Sequence, residues 1–268
     1  MLTLSYACSY GSTFEDFLCR GLKTGFRSFE LIPDLHPNLL AELTDGRCHQ
    51  IRQWAADNGA RLTVHNVFYD INPISPVPEV QRCGLKITER AMAFANEIGG
   101  RSLTIHPGYV FPPWRTDPRQ SAILHRSTVR AYKKMAVMSQ EYSVQLLVEN
   151  GQYCVTTVRG DEKTPLHLGM LPDELEDICQ LDPQGTIRLA LDLGKAAATT
   201  GDAVAFMDRI WPLMSDIHVG DYPSLAADLP PIVSTLLARN YAGDITLEMP
   251  TERAVELANG TLAPFRGS

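Results

Sequence analysis

Leu146-Leu147-Val148-Glu149-Asn150 and Leu189-Ala190-Leu191-Asp192-Leu193-Gly194 share one construction, a short apolar run that ends in a carboxylate. Runs of this length, bounded by polar residues, read as strands buried on both faces, as in a parallel sheet covered by helices. Four more stretches follow the pattern: Leu62-Thr63-Val64-His65-Asn66, Leu103-Thr104-Ile105-His106-Pro107-Gly108, Asp216-Ile217-His218-Val219-Gly220-Asp221 and Ile245-Thr246-Leu247-Glu248-Met249-Pro250. In each, the polar break falls at the C-terminal end.

Working outward, eight such runs recur at fairly even intervals: Leu2–Tyr6, Ser28–Ile32, Arg61–Val67, Ser102–His106, Gln145–Glu149, Ile187–Asp192, Asp216–Val219 and Asp244–Glu248. Helical patterns separate most of them. Over Val80–Ile98, the residues Ile87, Ala91, Phe94 and Ile98 share one face, and Gly99-Gly100 stops the helix. Further helices run through Val129, Tyr132 and Ala136, and through Ile232, Val233, Leu236 and Leu237. Ser12 with Glu15 forms a capping box ahead of the first helix, and Asp202 caps another after Gly201. Eight strand–helix units in 268 residues predict an α/β fold and favour closure into one (β/α)8 TIM barrel over residues 1–268, with a doubly wound open sheet as the alternative that alternation alone leaves standing. Two long connections, Phe68–Glu79 and Gly151–Leu171, follow strand C-termini, where barrel enzymes build their sites.

The net charge of −7 weighs against a surface built to hold a polyanion, so a nucleic-acid partner is not expected. The pair Lys133–Lys134 reads as a solvated helix face. Six cysteines, at positions 8, 19, 48, 83, 154 and 179, have no C-x-x-C spacing and read as reduced, mostly buried thiols. No basic-then-apolar leader opens the chain, and no apolar run reaches membrane-spanning length. A cytoplasmic protein without a membrane partner is the expectation, with homo-oligomerisation left open.

A carboxylate that ends a buried strand is partly desolvated and needs a cation or hydrogen-bond donors to stay ionised. Taken alone, a histidine near a strand end is more often a hydrogen-bonded core residue, and a lone glutamate often caps a helix or pairs with arginine. Six in register, His65, His106, Glu149, Asp192, His218 and Glu248, outweigh that reading. In a closed barrel they converge, and one divalent cation is the simplest reason for them to do so.

The pattern resembles the xylose isomerase-like barrel superfamily, which holds sugar-phosphate isomerases and epimerases together with endonuclease IV-type DNA repair enzymes. The resemblance runs through the order and spacing of all eight strands. It implies that Glu149, Asp192, His218 and Glu248 bind one ion (Mn²⁺, Mg²⁺, Co²⁺, Fe²⁺ or Zn²⁺). His65 with Asn66-Val67-Phe68-Tyr69-Asp70-Ile71-Asn72, and His106-Pro107-Gly108, look more like the endonuclease branch. Three residues after the sixth-strand Asp, where the family usually has His, stands Lys195. A protonated amine cannot ligate a metal, so Lys195 is expected to face substrate, to have a lowered pKa, or to turn away. The endonuclease branch also carries an Asp-x-His pair after its seventh strand, and Tyr222–Pro231 contains no histidine.

The reading that follows is a metal-dependent isomerase or epimerase acting on a small sugar or polyol by proton transfer through a cis-enediolate, with lyase or dehydratase chemistry left open. Glu149 and Glu248 would exchange the proton; His106 and Lys195 would steady the oxyanion; His65, His106 and Lys195 would contact substrate. No glycine-rich turn opens a helix as a phosphate cradle, which favours an unphosphorylated substrate. The alternatives are an endonuclease IV-like phosphodiesterase and a silent binding module in which Lys195 replaces the metal. Phe68, Tyr69, Phe111 and Trp114 either wall the pocket or pack the loops.

Overall fold

Alternation along the chain becomes alternation around a ring. The computed structural model describes residues 1–5, 12–33, 38–40, 43–151, 155–157, 163–220 and 225–266. Eight parallel strands close a barrel: β1 (Leu2–Ser5), β2 (Ser28–Leu31), β3 (Arg61–His65), β4 (Ser102–Ile105), β5 (Gln145–Glu149), β8 (Ile187–Asp192), β9 (Met214–Gly220) and β10 (Asp244–Glu248). Two short strands, β6 (Val155–Thr157) and β7 (Lys163–Pro165), pair antiparallel within the long connection after β5. The ring shuts where Leu2, Thr3 and Leu4 pair with Ile245, Thr246 and Leu247.

Residues two apart on a strand share a face. The outward set is apolar and buried beneath helices: Leu4, Phe29, Val64, Leu103, Leu146, Val148, Leu191, Ile217, Val219 and Leu247 among others. Each large side chain so covered contributes roughly 1.5–3 kcal/mol. The inward set is largely polar and equally buried, including Thr3, Ser5, Ser28, Glu30, Thr63, Thr104, Asp216 and Thr246. Some of these pair between neighbouring strands, as where the Thr3 hydroxyl donates to Ser28 Oγ at 2.9 Å and Thr246 donates to Asp216 Oδ2 at 3.1 Å, whereas the Thr63 and Thr104 hydroxyls have no hydrogen-bond partner among the described residues. The strands thus alternate more than their apolar runs suggest, because the barrel axis is polar here.

Helices α1 (Phe14–Lys23), α2 (Asp45–Asp57), α3 (Pro78–Glu97), α4 (Pro113–Thr116), α5 (Pro118–Tyr142), α6 (Pro172–Gln180), α7 (Leu193–Thr200), α8 (Ala203–Ile210), α9 (Leu225–Ala238) and α10 (Thr251–Asn259) cover the ring. The first is capped by Thr13, whose hydroxyl accepts from the Asp16 amide, and not by Ser12. Asp202 caps α8 as expected, accepting from Ala205 N. Pro78 at the first turn starts α3 two residues earlier than the apolar spacing predicts, and Ile98 is its C-cap. Gly84 lets this helix press on the Phe68–Glu79 connection, since a Cβ there would meet Pro73 N at 2.8 Å. Gln81 Nε2 ties down the same loop by donating to Pro73 O at 3.1 Å.

Of the four cysteines among the described residues, Cys48 and Cys179 are buried, whereas Cys19 and Cys83 are exposed, so burial holds for only half of them; all four are free thiols. Cys8, Cys154 and the end of the first predicted strand, Tyr6, lie outside the described residues. Among those residues, no helix is long and apolar enough to cross a membrane.

Candidate metal centre

His65, Glu149 and Glu248 close β3, β5 and β10, and His218 lies two residues before the end of β9, all with the inward parity. Each offers one donor atom within 4.8 Å of the others. His65 and Glu149 are almost wholly buried, as is His218, while Glu248 keeps partial access to the barrel mouth. His218 Nδ1 lies 3.3 Å from Glu149 Oε1 and 3.2 Å from Glu248 Oε1. His65 Nε2 lies 3.6 Å from Glu149 Oε2.

Asp192 and Lys195 form a second arrangement beside the first. Asp192 caps α7, its Oδ1 accepting the Lys195 amide at 2.8 Å. Its other oxygen stands 3.5 Å from the Lys195 ammonium. That ammonium in turn reaches Glu149 Oε2 at 2.7 Å. Asn150 locks the two strand ends in register: its Oδ1 accepts from Asp192 N at 2.7 Å, and its Nδ2 donates to Asp192 O at 3.1 Å. His106, one residue beyond β4, places Nε2 2.7 Å from Glu149 Oε2 and 3.4 Å from Lys195 Nζ.

Burial and the neighbouring Lys195 push the His106 pKa down to about 4, so the ring is neutral at neutral pH. At 2.7 Å from a carboxylate oxygen, a neutral ring is best accommodated with its proton on Nε2, toward Glu149. Burial alone would raise the Glu149 carboxyl, but Lys195 and His106 hold it well below the usual range. Burial raises Asp192 to about 6, against the attraction of Lys195. Lys195 is buried too, which favours the neutral amine, yet Glu149 and Asp192 hold its pKa above the ordinary lysine value. A lowered Lys195 pKa is therefore not what the structure gives; the residue is a charged ammonium facing two carboxylates.

The donor set fits a divalent ion. Glu149 Oε1, Asp192 Oδ2 and both nitrogens of His218 are buried without a hydrogen-bond partner. Buried polar atoms are rarely left so, and a cation would satisfy carboxylate and imidazole together.

Glu30, in the middle of β2, escapes a reading focused on strand ends. It is fully buried, accepts from Ser5 Oγ at 2.8 Å, and aims its unpartnered Oε1 at His218 Nε2, 3.6 Å away. Asp216 Oδ2 stands at the same distance from that nitrogen. Burial pushes the Glu30 carboxyl up to about 7. Two carboxylates on the Nε2 side leave Nδ1 of His218 to face Glu149 and Glu248, the geometry in which an outer carboxylate orients a ligating imidazole.

The aromatic residues of the loops divide. Phe68 packs against the rings of His65 and His106, with centroids 5.7 and 5.2 Å apart, and so walls the site. Tyr69 stacks edge-on against Phe68. Phe111 is 68% exposed, and Trp114 lines a groove with Leu124, Ile178 and Leu181 between α5 and α6, so neither shapes this centre. His167, absent from the sequence reading, packs its ring 4.4 Å from Tyr109 near the mouth.

Residues 20–264 match the family described as xylose isomerase-like TIM barrel. Solved structures of similar fold include a D-tagatose 3-epimerase-like protein (17% identity, TM-score 0.79, covering 98% of this chain and 97% of that one). A D-psicose 3-epimerase in the presence of D-fructose aligns at 16% identity and TM-score 0.76 over 99% and 98% of the two chains. IOLI protein with a bound zinc atom aligns at 13% identity and TM-score 0.70 over 98% and 96%. At these identities the likeness shows the fold. An uncharacterised protein of Methanocaldococcus jannaschii, MJ1311, is 23% identical over 159 residues, which are 59% of this chain and 50% of that protein, so the match spans half the relative's length.

Proposed function

This chain belongs to the xylose isomerase-like TIM barrel family, and from that premise we propose that it is a divalent-metal-dependent sugar epimerase or isomerase. The observation that carries the reading is the cluster His65, Glu149, His218 and Glu248 at the C-terminal mouth of the barrel. Similar structures include sugar 3-epimerases and a zinc-bound protein, which supports both the substrate class and the ion.

Glu149, His218 and Glu248 would hold the ion, with Asp192 and His65 as the two candidates for the fourth position. A bound dication supplies Lewis acidity toward a carbonyl oxygen and the adjacent hydroxyl. The remaining chemistry belongs to side chains of this chain. Glu248, reachable from the mouth, removes the proton next to the carbonyl and can return it at the neighbouring carbon, while return at the other face would fall to Glu149 once it has taken up a proton from solvent. The resulting cis-enediolate carries negative charge on oxygen. The Lys195 ammonium offsets that charge without giving up its proton, and the neutral His106 ring stands beside it. Phe68 keeps water from the histidine side of the pocket.

The test is proton exchange in D₂O across a panel of unphosphorylated ketoses, with the protein supplied in turn with Mn²⁺, Co²⁺, Mg²⁺ and Zn²⁺. Deuterium entering at the carbon next to the carbonyl, dependent on added ion, is the expected result. Absence of exchange with every ketose and every ion would sink the reading.

A further inference from the structure

We infer that Lys195 withdraws Asp192 from the coordination set and that His65 takes the vacated place, giving a site of two imidazoles and two carboxylates. This deepens the metal-dependent reading and rests on it.

Asp192 is engaged on one edge by a hydrogen bond and on the other by charge alone. One carboxylate oxygen caps α7, and the other faces the ammonium of the residue whose amide it caps. Its backbone is pinned by both polar atoms of the Asn150 side chain, so the strand end has little freedom to swing inward. The four residues whose donors converge within 4.8 Å do not include it.

His65 is prepared for the opposite role. Its Nδ1 lies 2.7 Å from the carbonyl oxygen of Asn66. A carbonyl only accepts, so Nδ1 carries a proton, and Nε2 is the nitrogen available to a cation on the Glu149 side. Backbone fixing of one ring nitrogen is the usual means of orienting the other as a ligand. His218 is held in the complementary sense, with Nε2 toward Glu30 and Asp216 and Nδ1 toward Glu149 and Glu248.

Charge favours a cation here. Glu149, Asp192 and Glu248 outnumber the single Lys195 ammonium, and Glu30 and Asp216 add carboxyl groups on the far side of His218, so the cluster has an excess of acidic groups that a dication would offset. The substitution of imidazole for carboxylate also changes selectivity. Two nitrogen donors favour Zn²⁺ or Co²⁺, whereas a set of one nitrogen and three oxygens suits Mg²⁺ and Mn²⁺ better.

The experiment is competition of the chelator-stripped full chain against a chromophoric chelator, using Zn²⁺ and Mn²⁺ separately, with folding of each variant checked by circular dichroism. We expect Asp192→Asn to keep Zn²⁺ affinity within about threefold of wild type, and His65→Gln to lose about 10- to 100-fold. Lys195→Met frees Asp192 and should raise Mn²⁺ affinity relative to Zn²⁺. Cobalt-loaded protein gives a check independent of affinity, since its visible spectrum should change in His65→Gln and persist in Asp192→Asn. Zinc binding that depends on Asp192 as strongly as on His65 overturns the inference and leaves the metal-dependent reading standing. Wild-type protein that binds no ion overturns that reading, and the donor set with it.

Discussion

Lys195 Nζ and Glu149 Oε2 meet at 2.7 Å in a site where the carboxylate has no exposed surface and the lysine is 9% exposed. An ion pair this deep has lost the hydration of both partners, and its attraction only partly offsets that loss. Such a pair is a poor device for stability and a good one for holding two charges in fixed register. Each partner also keeps the other ionised: the carboxyl is held low and the ammonium high.

Removing the charge of Glu149 while keeping its shape tests its part in the chemistry. Glu149→Gln should lower the rate of deuterium exchange into substrate by about 10²–10⁴-fold. The leftover Lys195 ammonium should also cost the fold about 3–5 kcal/mol, as breaking a buried pair does. Exchange kinetics with saturating metal, and urea denaturation of the metal-free variant, read the two effects separately. Undiminished exchange would remove Glu149 from the proton-transfer pair.

Glu30 should matter although it sits outside the donor cluster. Glu30→Gln keeps the size and an acceptor oxygen but removes the charge facing His218 Nε2. Outer carboxylates of this kind typically contribute about 10- to 100-fold in metal affinity. A weakening of that order in chelator competition is expected, and Ser5→Ala, which frees Glu30 Oε2, should give a smaller loss in the same direction. Affinity unchanged in Glu30→Gln would show that Asp216 alone orients the ring.

His167 predicts a pH dependence of folding. Burial, helped by the positive charges of Lys195 and Arg115, lowers its pKa to about 4 from 6.5. Between those values the unfolded chain takes up a proton that the folded chain refuses. Stability is therefore full above pH 6.5 and falls as pH drops toward 4, by up to about 1.4 kcal/mol per pH unit from this residue. His106, lowered to a similar value, adds to the slope. Urea denaturation of chelator-treated protein at pH 7, 6 and 5 should show His167→Gln losing less stability on acidification than wild type. Identical slopes would mean His167 takes up its proton in the folded state.

Asp244 supplies a contrast at the far end of the barrel. It accepts from Arg61 at 2.8 Å and also from Arg101. Asp244→Ala leaves both guanidinium groups without this acceptor and should cost about 1–3 kcal/mol of stability. Zinc affinity should not move, because residues at the N-terminal face of a barrel serve stability and those at the C-terminal face serve chemistry. Weaker zinc binding in this variant would mean that the two ends are coupled.

The barrel was legible because its strands are short, evenly spaced and broken by a polar residue at a repeated place. Thr13 capped in place of Ser12 because adjacent hydroxyl residues compete for one cap and sequence does not rank them. Glu30 was missed for a different reason. Ser28-Phe29-Glu30-Leu31 places its carboxylate in mid-strand, and attention to strand ends passes over it. The available signal was the energetic one: a glutamate inside an apolar run needs buried partners wherever it falls. Lys195 stood out as a departure from the family pattern, but which neighbours it meets depends on side-chain reach around the turn from β8 into α7. His65 could be placed at a strand end from the sequence, whereas its tautomer depends on where the Asn66 carbonyl points, which no periodicity reveals.

The pairing of β1 with β10 has a consequence for how the molecule comes into being. Contacts between Leu2 and Ile245 join segments separated by nearly the whole chain, so the ring cannot shut until the last strand has been made. Parallel pairing at such separation is slow, because the entropy of bringing the ends together is lost before the contact forms. Glu248 ends that last strand. A chain still emerging from the ribosome therefore displays His65, Glu149 and His218 without their fourth partner, so the proposed ion site can be assembled only after this last strand has paired.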